Sequence, residues 1–316
     1  MTSFITKLTV TLGMSLAAFV GVAQAAEPAS CGTIHFAQVS WTDIQATTGT
    51  ATTILKALGY KTEIKDLDVP IVMQGMANKQ LDVFLGNWMP SMAPIIKPFA
   101  DAKTVLTVRA NLEGAKYTLA TNEAGAKLGI KSFADIAKHK DELEGKIYGI
   151  EPGNDGNKLI LDMINTNKFD LKSFKLIESS EQGMLSQVAK FDNASKPIIF
   201  LGWAPHPMNT KFKMTYLSGG DDVFGPDFGG ATVFTNTRAG YSQDCPNVGK
   251  FLQNLSFTLD MENQIMGKIM DDGMQGDKAA KSWLKKNPDV IKPWLAGVTT
   301  KDGGDADAAV KSALGL

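Results

Sequence analysis

The amino-acid sequence predicts an α/β protein with two domains, each a mostly parallel sheet flanked by helices. Strand-like and helix-like segments alternate along the chain, and they do so in two successive sets. The length of 316 residues is enough for two domains of ordinary size.

The first 25 residues are predicted to be a signal peptide rather than part of the fold. Lys7 supplies a weak positive start, residues 8–22 are apolar, and Ala23-Gln24-Ala25 fits a small-x-small cleavage pattern. The alternative is a membrane anchor, but the apolar run is too short to span a bilayer comfortably. We therefore expect an exported protein of 316 − 25 = 291 residues, cleaved near Ala25.

The charge balance and the cysteine count restrict the function further. The 32 basic and 33 acidic residues leave no basic surplus, so we expect no nucleic-acid partner. The two cysteines, Cys31 and Cys245, favour one disulfide in an exported protein, and two unpaired thiols are the alternative. A disulfide would require both positions to lie in the same domain.

The first set of elements alternates in β-α-β order. Its predicted members are a strand at 33–39, a helix at 47–58, a strand at 61–67, a helix at 71–79 and a short strand at 82–85.

The second set repeats that order further along the chain. Its predicted members are strands at 117–121, 146–150, 174–176 and 197–201, and helices that begin at 132, 157 and 181. A strand at 213–217 could return to the first domain, and a helix-rich tail covers 248–286.

This order predicts a discontinuous first lobe, residues 26–111 with 213–316, and a second lobe, residues 112–212. Two crossings between lobes form a hinge, and a hinge between two α/β lobes encloses a cleft.

Two apolar runs end in the same way, at Gly86-Asn87-Trp88-Met89-Pro90 and at Gly202-Trp203-Ala204-Pro205. Each run is predicted to stop at its glycine and to expose a tryptophan beyond the strand. Open α/β sheets bind ligands outside the carboxyl ends of their strands, so this position favours ligand contact over core packing. For Trp283 and Trp294, in the helical tail, core packing is the favoured interpretation.

Four aromatic residues are expected to converge on the cleft. Trp41 follows the first strand, Trp88 and Trp203 follow later strands, and Tyr117 lies where the chain enters the second lobe. An aromatic box of this kind is suited to a quaternary ammonium ion, which has a full charge but no N–H to donate.

Two polar residues near these aromatics are candidate ligand contacts. Asp43 could accept a hydrogen bond from a ligand hydroxyl and attract a cation, or it could cap the helix that follows. Those ligand roles suit choline and do not suit glycine betaine, whose carboxylate would face Asp43. Asn154, in the turn at 151–157, is expected to bond a hydroxyl from the second lobe.

An enzyme is the rival class of protein. Of the three histidines, His206 alone is predicted to be near the cleft, while His35 and His139 fall in a strand and a charged helix. The sequence contains neither a nucleophile elbow nor a His/Cys metal spacing. We therefore expect no catalysis, no cofactor and no metal.

The chain resembles the substrate-binding proteins of quaternary-amine ABC importers over essentially the whole mature sequence. The resemblance lies in residues 87–90 (NWMP), 114–119 (GAKYTL), 151–157 (EPGNDGN) and 200–203 (FLGW). It implies a two-lobed periplasmic binding protein fold of type II. It also implies an aromatic cage at Trp41, Trp88, Tyr117 and Trp203, hydroxyl contacts at Asp43 and Asn154, and a disulfide between Cys31 and Cys245.

The function implied by this resemblance is transport. We expect a monomeric periplasmic protein that captures choline between its lobes and delivers it to an ABC transporter permease in the inner membrane. The alternative is a glycine betaine or proline betaine-binding protein of an osmoprotection importer.

Overall fold

The structure is a computed structural model that describes residues 27–316. The predicted signal peptide therefore lies outside the described residues. Among residues 27–316, no helix has both the length and the apolar character needed to cross a membrane.

Nine strands form one mixed sheet in the order β2-β1-β3-β9-β4-β7-β5-β6, with β8 paired to β4 beside this path. The strands are β1 (Thr33–Gln38), β2 (Lys61–Asp66), β3 (Val83–Met89), β4 (Val105–Thr121), β5 (Lys146–Tyr148), β6 (Lys175–Ile177), β7 (Ile199–Ala204), β8 (Thr215–Tyr216) and β9 (Gly230–Arg238).

The α-helices connect these strands and build the C-terminal region. They are α1 (Thr42–Ala57), α2 (Val69–Ala77), α3 (Ala93–Asp101), α4 (Glu123–Leu128), α5 (Phe133–Ile136), α6 (Asp155–Asn165), α7 (Glu181–Asn193), α8 (Met208–Lys211), α9 (Asp221–Phe224), α10 (Pro226–Gly229), α11 (Tyr241–Asp244), α12 (Pro246–Asn254), α13 (Leu259–Met270), α14 (Gly276–Leu284), α15 (Ile291–Trp294) and α16 (Ala306–Leu314).

The α/β class is confirmed, and the sheet combines parallel ends with an antiparallel middle. β1 pairs in parallel with β2 and β3, and β5 pairs in parallel with β6 and β7. Between these ends, the long strands β4 and β9 run antiparallel to each other and to their neighbours. We call β1–β3 with α1 the β1 side, and β5–β7 with α6 and α7 the β7 side.

Strand β4 joins the two sides without a break. Its first part, from Val105 to Lys116, pairs with β9, and its last part, from Lys116 to Thr121, pairs with β7. The short β8 pairs with Ala120 and Thr121, so it lies next to the β7 side rather than the β1 side. After β8, the chain returns to the β1 side at β9, which pairs antiparallel with β3.

The two tryptophan-bearing strands are longer than predicted. β3 continues through Gly86 to Met89, and β7 continues through Gly202 to Ala204. The glycines lie at close approaches: a Cβ atom on Gly86 would lie 2.6 Å from Ile44 Cδ1, and one on Gly202 would lie 2.7 Å from Met214 Cε. These glycines make room for neighbouring side chains. Because both strands continue beyond them, the prediction that they end the strands was wrong.

Helix α1 begins at Thr42, five residues before the predicted start at Thr47. The threonine-rich sequence hid the first turns, because threonine favours strands and turns over helix interiors. Thr50 and Thr52 lie inside the helix, and each hydroxyl donates a hydrogen bond to the backbone carbonyl four residues earlier, at 2.8 Å. The side chains are therefore satisfied within a buried helix.

The C-terminal tryptophans belong to the core, as predicted. Trp283 and Trp294 are 6% and 2% exposed. Their indole N–H groups donate to Gln264 Oε1 at 2.7 Å and to the Ser256 carbonyl at 3.1 Å.

The predicted disulfide is confirmed between Cys31 and Cys245, whose Cα atoms are 5.7 Å apart. It ties the start of the described chain to the residue that precedes α12, 214 positions later. Within residues 27–316, the grouping with metal-ligand spacing is Glu27 with these two cysteines, and the disulfide uses both sulfurs.

Candidate functional site

A small cavity lies between the β1 side and the β7 side. All six predicted ligand residues line it, together with two residues that the sequence analysis did not select. The lining residues are Trp41, Asp43, Trp88, Tyr117, Ile150, Asn154, Asp155 and Trp203.

Strands of the sheet carry three of the four aromatic residues to the cavity. Tyr117 on β4 and Trp203 on β7 are directly paired residues in antiparallel strands, so their side chains share one face. Their ring centroids are 6.2 Å apart, and Trp88 at the end of β3 lies 6.1 Å from Tyr117 on its other side. Trp41 is the residue before α1, where the chain turns from β1 into the helix.

The tryptophans are buried, although the sequence analysis expected them to be exposed. Trp41 is 5% exposed, and Trp88 and Trp203 are each 4% exposed. They face a cavity enclosed from both sides instead of open solvent. Such a buried, aromatic lining strengthens electrostatic contacts with any charge placed inside it.

Asp43 provides a buried carboxylate at the cavity. The indole Nε1 of Trp88 donates to its Oδ2 at 3.1 Å, while its buried Oδ1 has no hydrogen-bond partner. Burial and, secondarily, repulsion from Glu181 raise the pKa of Asp43 to about 7. The alternative role as a helix cap is absent in α1, which has Trp41 at its N-cap and no side-chain cap bond.

Asn154 lines the cavity, but its amide already bonds to the protein. Its Oδ1 accepts from Tyr117 Oη at 2.9 Å and from the Asn157 backbone N–H at 3.2 Å, which caps α6. Its Nδ2 donates to Glu151 and Asp155, each at 3.2 Å. In this conformation Asn154 holds Tyr117 and the two acidic residues in place.

Asp155 is the polar lining residue that the sequence analysis missed. It is 2% exposed, and its Oδ2 is buried without a partner. Burial raises its pKa to about 6. Its place as the first residue of α6 partly offsets the cost of burying a carboxylate, because the helix N-terminus favours negative charge. The sequence of the turn at 151–157 indicated a polar contact with the ligand, but it did not favour Asp155 over its neighbour Asn154 as that contact.

A third buried carboxylate orients the first tryptophan. Glu151 Oε1 accepts from the indole Nε1 of Trp41 at 2.9 Å, across the gap between the two sides. Burial raises the pKa of Glu151, and its Oε2 has no hydrogen-bond partner. Trp41 and Trp88 thus donate their indole N–H groups to carboxylates, and their ring faces stay available for contact with a ligand.

The arrangement has the chemistry of a cation site. Aromatic faces and carboxylate oxygens attract positive charge, and the eight lining residues include no lysine, arginine or histidine. The unpartnered oxygens of Asp43 and Asp155 are hydrogen-bond acceptors, available to a ligand hydroxyl. His206 packs edge-on against Trp203, with 5.0 Å between ring centroids, and does not line the cavity.

Comparison with known proteins gives the family. Residues 32–286 match the family model described as the substrate binding domain of the ABC-type glycine betaine transport system. The chain belongs to this family. Its members are transport proteins that bind substrates, and the family is not one of enzymes.

Two solved structures of an ABC-transporter choline-binding protein are similar to the chain, each at 67% sequence identity. Each similarity covers 91% of this chain and 100% of the other. The TM-score is 0.90 with the form in complex with choline and 0.84 with the unliganded semi-closed form. The glycine betaine/carnitine transport binding protein GbuC of Listeria monocytogenes is 30% identical over 165 residues, 52% of this chain and 54% of that protein.

Replacing Gly156 with alanine should disrupt the cage, because a Cβ atom there would lie 2.1 Å from the Tyr117 hydroxyl. We expect Gly156→Ala to lower the free energy of unfolding by about 1–3 kcal/mol, the usual cost of overpacking. The matched control is Gly267→Ala in α13, where the nearest atom is 3.9 Å away. Alanine should be neutral or stabilising there by up to about 1 kcal/mol. Denaturant unfolding curves would contradict this account if the two variants were equally stable.

Proposed function

We propose that this protein is the substrate-binding protein of an ABC importer and that its cargo is choline. The observation that carries the proposal is the cavity itself, where four aromatic residues surround a space bordered by buried carboxylates. The 67% identity to a choline-binding protein over its full length supports the same cargo.

The trimethylammonium group explains the aromatic lining. It carries a positive charge but offers no N–H, so ring faces hold it by attraction to their quadrupoles and by contact with its methyl groups. Each desolvated contact contributes about 1–2 kcal/mol. Three or four such contacts with methyl burial would reach the roughly −8 kcal/mol of a micromolar complex.

The hydroxyl explains the free carboxylate oxygens. We infer that the choline hydroxyl donates to Asp43, and that Asp155 adds a second negative charge and a second acceptor. Asn154 then acts mainly by positioning Tyr117 and the acidic residues, since its own amide is engaged. Trp41, Trp88, Tyr117 and Trp203 form the cage in this proposal.

Glycine betaine is the second candidate cargo, because the family model is named for glycine betaine transport. Its trimethylammonium group would fit the same rings. Its carboxylate, however, would face Asp43 and Asp155 in a buried site, where like charges repel strongly. The acidic lining therefore favours choline.

We also propose that the protein has two lobes that close on the cargo. The predicted lobes, 26–111 with 213–316 and 112–212, stay a prediction. The pairing of β8 with β4 favours a second crossing later in the chain, between β8 and β9. Cargo bound between the lobes stabilises the closed form, so binding and closure are thermodynamically coupled.

We further propose where the protein acts and with which partner. The protein is exported to the periplasm, acts as a monomer without a cofactor, and presents its closed form to a permease in the inner membrane. It does not convert its cargo chemically. Family membership supports the transport role.

Calorimetry with choline and glycine betaine tests the cargo directly. We expect choline to bind at least about tenfold more tightly, because a tenfold difference needs only 1.4 kcal/mol of the expected carboxylate repulsion. Matching the salt concentration of both titrations keeps screening constant. Equal affinity, or tighter glycine betaine, would overturn the choline assignment.

Choline affinity should also depend on pH. In the empty protein the pKa of Asp43 is about 7 and that of Asp155 about 6, because burial disfavours their ionised forms. A bound cation favours the ionised forms, so binding releases protons and affinity rises as pH rises from about 5 to 8. We expect a rise of about tenfold for the wild type and a clearly smaller one for Asp43→Asn, in titrations repeated across this range. An identical slope in both proteins would exclude Asp43 as the titrating group.

A further inference from the structure

Helix α1 lacks a cap from its own side of the molecule. Its N-cap residue is Trp41, whose side chain makes no capping hydrogen bond. The first backbone N–H groups of a helix have no partner within the helix, and leaving them buried and unpaired is costly. Thr42, the first residue of α1, is 2% exposed, so water does not provide the missing partner.

Glu181 supplies this cap from the β7 side. Its Oε2 accepts from the Thr42 backbone N–H at 3.0 Å, and its Oε1 accepts a short hydrogen bond from the Thr42 hydroxyl. The two residues are 139 positions apart in the chain. Glu181 is 0% exposed and is itself the first residue of α7, so its carboxylate lies at the N-terminal ends of two helices. Both helix dipoles favour its negative charge.

His206 holds this carboxylate in position. Its Nδ1 accepts from the Met208 backbone N–H at 2.9 Å, so its proton is on Nε2 in the neutral ring. Nε2 then donates to Glu181 Oε1 at 3.2 Å. His206 is 1% exposed and packs against Trp203, so this hydrogen bond holds Glu181 from within the β7 side.

The contact between Glu181 and Thr42 therefore spans the two sides next to the cavity. Thr42 lies between Trp41 and Asp43, which both line the cavity. Opening the molecule would separate Glu181 from α1 and expose both to water. Closing it would restore two hydrogen bonds to a charged acceptor, the stronger class of hydrogen bond.

We propose that Glu181 is a positioning residue that latches the closed form and thereby slows release of the cargo. This inference rests on the proposed function, because it assumes that cargo is held between two closing lobes. Glu181 does not line the cavity, so it acts through α1, by fixing the turn that carries Trp41 and Asp43. The better agreement of the structure with the choline complex than with the semi-closed form supports a closed conformation.

The test measures the choline dissociation rate, the choline affinity and the melting temperature of the ligand-free protein. In Glu181→Gln one acceptor oxygen becomes an NH2 donor, so the amide cannot accept from the Thr42 backbone N–H, the Thr42 hydroxyl and His206 together. We therefore expect dissociation about tenfold faster and association nearly unchanged. Thr42→Val changes the partner residue in α1. It removes the hydroxyl bond to Glu181 but keeps the backbone bond, so it should accelerate dissociation by a smaller factor. The double variant should dissociate no faster than Glu181→Gln alone, because both changes break one contact.

Controls separate a latch from a general structural role. Glu113→Gln changes an exposed glutamate in β4 and should leave the dissociation rate unchanged. A latch made on closure should leave the melting temperature of ligand-free Glu181→Gln near that of this control. Unchanged dissociation in both Glu181→Gln and Thr42→Val, or strictly additive effects in the double variant, would overturn the latch while leaving choline binding intact. Wild-type protein that bound no choline would instead overturn the proposed function, and the latch with it.

Discussion

The electrostatic character of the cavity depends on carboxylates that are buried without a positively charged partner. Asp43, Glu151 and Asp155 each have an oxygen with no hydrogen bond, and burial raises the pKa of all three. Burying unpaired charge is among the most costly changes in a protein interior. A cation between the aromatic rings would reduce this cost, so the cavity is electrostatically suited to a positive ligand. In the proposed function, part of the binding energy comes from negative charge that the fold has already placed.

The sheet brings these groups together from distant parts of the chain. β4 runs through the junction between the two sides and pairs Tyr117 directly with Trp203. β3 brings Trp88 to the other side of Tyr117, and α1 brings Trp41 and Asp43. Cross-side hydrogen bonds from Trp41 to Glu151 and from Thr42 to Glu181 close the same junction. The proposed cargo contacts and the contacts between the sides therefore involve adjacent residues of one turn.

Much of this arrangement was predictable from the sequence, because tryptophan, glycine and proline leave strong local signals. The α/β class, the disulfide and the gathering of Trp41, Asp43, Trp88, Tyr117, Asn154 and Trp203 at one cavity required only spacing, residue type and family resemblance. Asp155 was missed because sequence alone did not distinguish which residue of an acidic, glycine-rich turn points inward. Glu181 was missed because its role is a contact across 139 positions, for which a single sequence has no signal. The early start of α1 was missed because tertiary packing overrides local propensity.

We propose that positive charge, more than shape, selects the ligand. The most direct measurement compares choline with 3,3-dimethylbutan-1-ol, its neutral carbon analogue of nearly the same shape, by calorimetry under identical conditions. We expect the neutral analogue to bind at least about 100-fold more weakly, because it loses both the cation–π contacts and the attraction of the buried carboxylates. Comparable affinity for the two compounds would contradict the account.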